Sequence, residues 1–176
     1  MIMVLIGVTG SGKTTIGMLL AERIGAMFAD ADDYHSAANK AKMAAGVPLS
    51  DDDRWPWLET LNGLLRQWEQ GSRTGVLACS ALKAQYRAML LKGLRAGQIH
   101  FVLLDGSREL IAQRLAGRQH EYMNPVLLES QIRTLEPPED ALRVVNDRAP
   151  EVIVEIILAG LGNLQKQMTQ NSNSRN

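Results

Sequence analysis

Gly7-Val8-Thr9-Gly10-Ser11-Gly12-Lys13-Thr14 fits the spacing G-x-x-x-x-G-K-[ST] in full. Each residue type in that pattern has a task on a polyphosphate. Gly7, Gly10 and Gly12 let backbone N–H groups turn toward phosphate oxygens with no Cβ in the way. Lys13 brings a point charge to the β and γ phosphates. Thr14 offers a hydroxyl to Mg²⁺. Thr9, Ser11 and Thr15 lie in or beside the loop and are counted with it. The competing reading is a Gly-rich turn with a chance Lys-Thr. The apolar run before it and the helical pattern after it argue against chance, because a helix N-terminus there adds its positive end to the phosphate site. The motif implies nucleotide phosphate binding and is silent on what receives a phosphate.

Carboxylates and cations elsewhere supply a second half. Asp30-Ala31-Asp32 follows a short apolar run. Alternate residues of an extended segment point the same way, so both carboxylates are placed to face the phosphate loop. One would hold a hydrated metal and the other a substrate hydroxyl, and Lys13 and the metal would keep both ionised. Two turn-forming aspartates before a helix, with Asp33 as its cap, are an equal alternative. Asp105 ends another apolar run, but Gly106 follows it, which favours a turn. Asp51, Asp52 and Asp53 suit the first turn of any helix capped by Ser50. Arg54 beside them is a fixed fork shaped for a carboxylate. Lys83 and Arg87 are i, i+4 on one helix, either a solvated basic face or part of a crevice at the end of a strand. Arg114 and Arg118 repeat that spacing. Cys79 reads as a small buried residue, His100 as structural, Trp68 as core, and Trp55 and Trp57 as walls of a pocket.

The elements that must position these residues follow from periodicity. Residues 1–6, 26–29, 76–79, 99–104 and 142–145 read as short strands. Residues 36–45, 53–70, 81–94, 109–118, 126–135 and 152–164 read as helices, with another after the phosphate loop that carries Ile16, Leu20 and Ile24 and stops at Gly25. Alternating strands and helices predict an α/β domain with a parallel sheet. Residues 1–166 make one domain, with a substrate segment at about 32–70, and residues 167–176 a polar tail expected to fray.

Composition narrows the class. The chain has 176 residues, 45% hydrophobic and 22% charged, enough for a sizeable core. Lys+Arg and Asp+Glu number 19 each, which excludes the basic excess of a general nucleic-acid or membrane-surface binder. No run approaches the ~18 apolar residues of a membrane span. One cysteine excludes a disulfide within the chain and suits a reducing cytosol. The expectation is a cytoplasmic protein.

Taken together, residues 7 to about 138 resemble the gluconate kinases, a family of small P-loop kinases. The resemblance rests on Asp30-Ala31-Asp32-Asp33-Tyr34-His35, then Asn39 and Lys42-Met43, then the stretch 46–58 with Asp51-Asp52-Asp53-Arg54-Trp55-Pro56-Trp57-Leu58. It continues in Cys79-Ser80-Ala81-Leu82-Lys83 with Tyr86-Arg87, and in Ser130-Gln131 and Thr134-Leu135-Glu136. Ser36 replaces the proline that often follows the signature His, and His120-Glu121-Tyr122-Met123 stands where a Gly-His-Phe lid sequence is common. The resemblance implies a three-layer P-loop NTPase fold, NMP-kinase and shikimate-kinase-like, with a five-stranded parallel sheet and a lid at about 117–127. It implies ATP and Mg²⁺, gluconate as substrate, phosphorylation at its 6-hydroxyl, and a homodimer. Lys13, Asp32 and Arg118 would then be catalytic, and Thr14 and Asp30 would hold the metal. His35, Asn39, Asp53, Arg54, Lys83 and Arg87 would join Asp32 on the substrate, and Arg114 would stack near adenine with residues 146–150. Another small-acid kinase and a non-catalytic nucleotide switch are the alternatives.

Overall fold

The computed structural model describes residues 1–95, 97–117 and 125–173, without the side chains of 125–127 and 164–173. Five strands form one sheet: β1 (Ile2–Ile6), β2 (Met27–Asp30), β3 (Gly75–Ala78), β4 (Ile99–Asp105) and β5 (Leu142–Val145). Their order is β2-β3-β1-β4-β5 and every pairing is parallel. β1 is central, and all five of its residues are buried. That explains its unbroken apolar run, since a strand covered on both faces has no side to spare for polar residues.

Alternate residues of β1 feed two cores. Met3 and Leu5 pack with Ile16 and Leu20 of α1 (Lys13–Ile24) and with Ile153, Ile157 and Leu161 of α7 (Pro150–Asn173). Ile2, Val4 and Ile6 pack with Leu58, Leu61, Leu65 and Trp68 of α3 (Asp51–Gln70) and with Tyr86 and Leu90 of α4 (Ala84–Leu91). The result is three layers, as the alternating elements predict. α2 (Ala37–Ala44) lies between β2 and α3 in sequence, and α5 (Arg108–Ala116) and α6 (Pro125–Thr134) between β4 and β5. A third, smaller cluster of Val8, Leu82, Ile111, Leu115 and Leu128 sits against the phosphate loop.

Three local differences from the sequence expectations have physical causes. The chain winds into a 3₁₀ turn over Ala31–Tyr34 because an Asp30 carboxylate oxygen accepts from the Asp32 N–H, 3.1 Å away. The helix expected over 81–94 is confined to Ala84–Leu91, since Ala81 adopts φ +36° and Lys83 is extended. The last helix begins on Pro150, whose missing N–H costs nothing there, and its backbone runs through Asn173 into the segment expected to fray.

Gly75 shows how tightly the α3 face is packed: a Cβ there would lie 2.2 Å from the Trp68 ring. Gly75→Ala is therefore expected to destabilise the fold by about 1–3 kcal/mol through overpacking. Urea unfolding checks this, and the loss should shrink when Trp68 is made smaller in the same chain.

Candidate active site

All five strands are parallel, so the segments leaving their C-terminal ends meet at one edge of the sheet. There the phosphate loop follows β1, the Asp30 turn follows β2, residues 79–83 follow β3, Asp105 ends β4 and Asn146 follows β5. Gly10 and Gly12 have φ of +75° and +95°, which L side chains rarely adopt. A Cβ at Gly12 would also lie 2.4 Å from the Asn146 amide nitrogen. That amide is buried and donates to the Ser11 carbonyl at 2.8 Å. The Lys13 ammonium donates to the carbonyls of Gly7 and Val8, both at 3.0 Å. Ser11 is buried, and its hydroxyl has no hydrogen-bond partner among the described residues. A glycine cradle with a resident ammonium and an orphaned hydroxyl fits a polyphosphate.

The Thr14 hydroxyl donates to Asp30 Oδ2 at 2.6 Å. Asp30 thus caps the turn with one oxygen and meets Thr14, beside the phosphate loop, with the other. The argument from strand alternation does not apply to Asp32, which lies in the 3₁₀ turn. The Asp32 side chain is 83% exposed, and His35 Nε2 stands 3.9 Å from Oδ1. Partial desolvation by the surrounding turn and the Asp30 charge raise its pKa, and Lys13 only partly opposes them. Lys13 acts in the expected sense, lowering the Asp32 pKa, but is outweighed in the ligand-free protein.

His35 is buried flat against Trp57, with ring centroids 4.3 Å apart. Trp57 is itself buried and donates its indole N–H to the Ala31 carbonyl at 2.7 Å, so it is core as much as pocket wall. Burial, then the Arg54 and Lys40 charges, push the His35 pKa down to about 4, which leaves it neutral at neutral pH.

Asn39 and Asp53 serve the framework in this structure. The Asn39 amide donates to the Asp53 carbonyl at 2.8 Å and ties α2 to α3. Asp53 completes a capping box with Ser50 and pairs with Lys42 at 2.6 Å. Lys42 and Ser50 hold its pKa down to about 2. The helix-start reading of the acidic run thus accounts for Asp53, whose carboxylate oxygens are occupied.

Arg54 and Lys83 come together through Asp51, the first residue of α3. Asp51 accepts from Lys83 at 2.9 and 3.0 Å, from Gln85 at 2.9 Å and from the Tyr86 hydroxyl, and Arg54 lies 3.8 Å away. Both cations sit over the Tyr86 ring, at 5.6 and 5.3 Å from its centroid. Arg87 takes a different place. It is buried, and its guanidinium donates to the Ala81 and Leu82 carbonyls, both at 3.0 Å. Through Nη1 it braces the left-handed Ala81 turn that precedes Lys83. A buried guanidinium needs such partners, which overrides the i, i+4 argument.

Arg114 lines a cleft of about 330 Å³ with Gly12, Thr15, Asn146, Arg148 and Pro150. This brings the expected adenine residues beside the phosphate loop. Arg118, His120 and residues 118–124 of the expected lid lie outside the described residues. Asp105 accepts from the Gly106 N–H and pairs with Arg143, in keeping with a turn. Trp68 and Cys79 are buried as expected, and burial pushes the Cys79 thiol up to about 12.

A family model described as an AAA domain matches residues 2–138. A probable gluconokinase of Mus musculus is 43% identical over 177 residues, covering 90% of this chain and 96% of that protein. The crystal structure of a gluconokinase from Sinorhizobium meliloti 1021 superposes with a TM-score of 0.86 at 37% identity, covering 97% of this chain and 96% of the other. A shikimate kinase from Aquifex aeolicus shares the fold, with a TM-score of 0.61 at 20% identity over 94% of this chain and 98% of the other.

The Asp51 cluster has a pH signature. Tyr86, then Lys83, hold the Asp51 pKa below its ordinary 3.8, at about 2. A depressed carboxylate contributes stability that is present above its unfolded pKa and is lost as pH falls through the folded one. The gap in melting temperature between the parent protein and Asp51→Asn should be full above about pH 4 and narrow toward about pH 2. Melts along a pH series check this, and a gap independent of pH would remove the carboxylate from the account.

Proposed function

The chain belongs to the gluconokinase family, and from that premise we infer that it transfers the terminal phosphoryl group of ATP to the 6-hydroxyl of D-gluconate, giving 6-phospho-D-gluconate and ADP. The observation that carries this reading is the pairing, at one sheet edge, of the phosphate cradle with the Arg54–Lys83 cluster. Gluconate offers one carboxylate and a row of hydroxyls. Two cations that share one carboxylate, Asp51, leave a net single positive charge for a monoanionic acid. The shikimate kinase alternative shares only the fold.

Within this reading each side chain has a task. Lys13 and the loop N–H groups hold the β and γ phosphates, and Arg114 and the cleft at Asn146–Pro150 take the base. Arg118 is assigned to the transferring group by family resemblance. Asp32 accepts the proton of the 6-hydroxyl late in transfer, a carboxylate within hydrogen-bond reach being enough to orient a primary alcohol and take its proton. His35, neutral and buried, contributes as a hydrogen-bonding wall beside Asp32. Thr14 and Asp30 are the oxygen donors that would hold Mg²⁺. Among the described residues no group of three or more His, Cys, Asp or Glu is arranged to hold a metal ion by itself. Mg²⁺, when bound, neutralises charge on those phosphates. A homodimer and a cytosolic setting belong to the same proposal, supported by family resemblance and by the single, buried Cys79. No helix of the described residues is long and apolar enough to cross a membrane.

Two measurements test this. In coupled ADP release with a panel of sugars and sugar acids, gluconate should react and glucose should not. Turnover of glucose at a comparable rate would remove the carboxylate requirement. Separately, Asp32→Asn keeps the shape of the side chain and removes its basicity, so kcat should fall by ~10²–10⁴ with ADP affinity little changed. An unaltered kcat would reduce Asp32 to a turn residue.

A further inference from the structure

Gln131 of α6 accepts a hydrogen bond from the Thr9 N–H through Oε1 at 2.6 Å, across 122 positions of sequence. The carbonyl on the other side of that same peptide group, Val8 O, accepts from the Lys13 ammonium at 3.0 Å. We propose that Gln131 is a positioning residue: it sets the Val8–Thr9 peptide plane on which the Lys13 ammonium rests, and so places the charge that meets the phosphates.

The geometry argues for this directly. No cis peptide occurs among the described residues, so the Val8 carbonyl and the Thr9 N–H point in opposite directions from one rigid plane. A plane held at one edge only is free to tilt about its flanking dihedrals. Here an acceptor from α6 holds one edge and Lys13 holds the other. Gly10 follows at once and is conformationally permissive, so the loop itself does little to resist such a tilt.

The rest of α6 is built to deliver that amide. Leu128 is buried in a cluster with Val8, Leu82, Ile111 and Leu115, which seats the helix beside the loop. Leu128 and Gln131 are three apart and therefore share a face. Just beyond α6, Glu136 donates its N–H to the Leu82 carbonyl at 2.9 Å and accepts from the Ala84 N–H at 2.6 Å. One segment thus braces the turn that presents Lys83 as well as the peptide that seats Lys13. This proposal rests on the phosphate-loop reading and does not depend on which acid is the acceptor.

The test is a double-mutant cycle read by ADP binding in calorimetry, with no acceptor present. Gln131→Met keeps length and bulk and removes the acceptor. In the parent chain it should weaken ADP about 3- to 10-fold, the range of one hydrogen bond. In a Lys13→Met background it should change ADP affinity by less than about twofold, because the effect runs through Lys13. Equal losses in both backgrounds, or none in either, would overturn the proposal and leave Gln131 as a tertiary staple. Steady-state kinetics give a second measure: Gln131→Met should lower kcat/KM for ATP by a similar factor and leave KM for gluconate nearly unmoved. A parallel loss for both substrates would also overturn it. Failure of the parent protein to bind ADP would sink the phosphate-loop reading itself. ADP binding without gluconate-dependent turnover would sink only the acceptor assignment, and the cycle would still decide the role of Gln131.

Discussion

The N–H groups of the phosphate loop must face inward, and the site depends on that one requirement. Turning them inward sends carbonyls outward, and each outward carbonyl near the core needs a donor. Asn146 meets Ser11 and Lys13 meets Gly7 and Val8. Gly12 has to be a glycine twice over, for its left-handed backbone and because Asn146 already stands where a Cβ would go. Asn146 in turn is placed by its own N–H on the Asp105 carbonyl, one strand away. The parallel sheet thus does more than carry the loop. Strands β1, β4 and β5 end together, and that is what lets a residue 135 positions away complete the cradle.

The acid side follows a different logic. Its cations are gathered by a resident carboxylate. Without Asp51, Arg54 and Lys83 would repel one another across the Tyr86 ring. With it they stay together at one ring, the arrangement the proposed acid site requires. The cluster is only partly buried, so solvent screening keeps its energy small, and its value is arrangement more than stability. Arg87, at the next turn, shows the contrast. Largely buried, it gives its Nη1 to two backbone carbonyls and so braces the unusual Ala81 conformation that precedes Lys83.

Much of this was legible in the sequence for identifiable reasons. β1 was visible because a doubly covered strand leaves an uninterrupted apolar run, and the phosphate loop because its spacing encodes its own geometry. The 3₁₀ turn at Ala31–Tyr34 was not, since four residues carry no periodicity and the deciding bond is local to Asp30. Asp51, Asp52 and Asp53 read alike in sequence, yet they divide into a cation hub, an exposed helix-start residue and half of a capping box. What separates them is which face of the first turn meets α4, a tertiary fact. Arg87 is hidden from sequence for the same reason: i, i+4 spacing reports that two side chains share a face, not what that face touches. Gln131 carried no signal beyond its place in a family motif, because its partner is a backbone N–H far away in sequence.

The titratable groups of the turn also explain how recognition is divided. Asp32 and His35 lie side by side, and their surroundings push them in opposite senses, the carboxylate up and the imidazole down. Burial against Trp57 denies His35 a charge at neutral pH, so it cannot act as the cation for a carboxylate. On the proposed reading that task belongs to Arg54, whose charge is among the causes of His35 neutrality, and to Lys83, whose pairing with Asp51 raises its pKa. A neutral histidine remains able to donate and accept single hydrogen bonds, which suits a hydroxyl-bearing chain better than its acid terminus. On the proposed assignment the acid end of the substrate therefore falls to Arg54 and Lys83, and its hydroxyl chain to neutral groups such as His35, with Asp32 as the base.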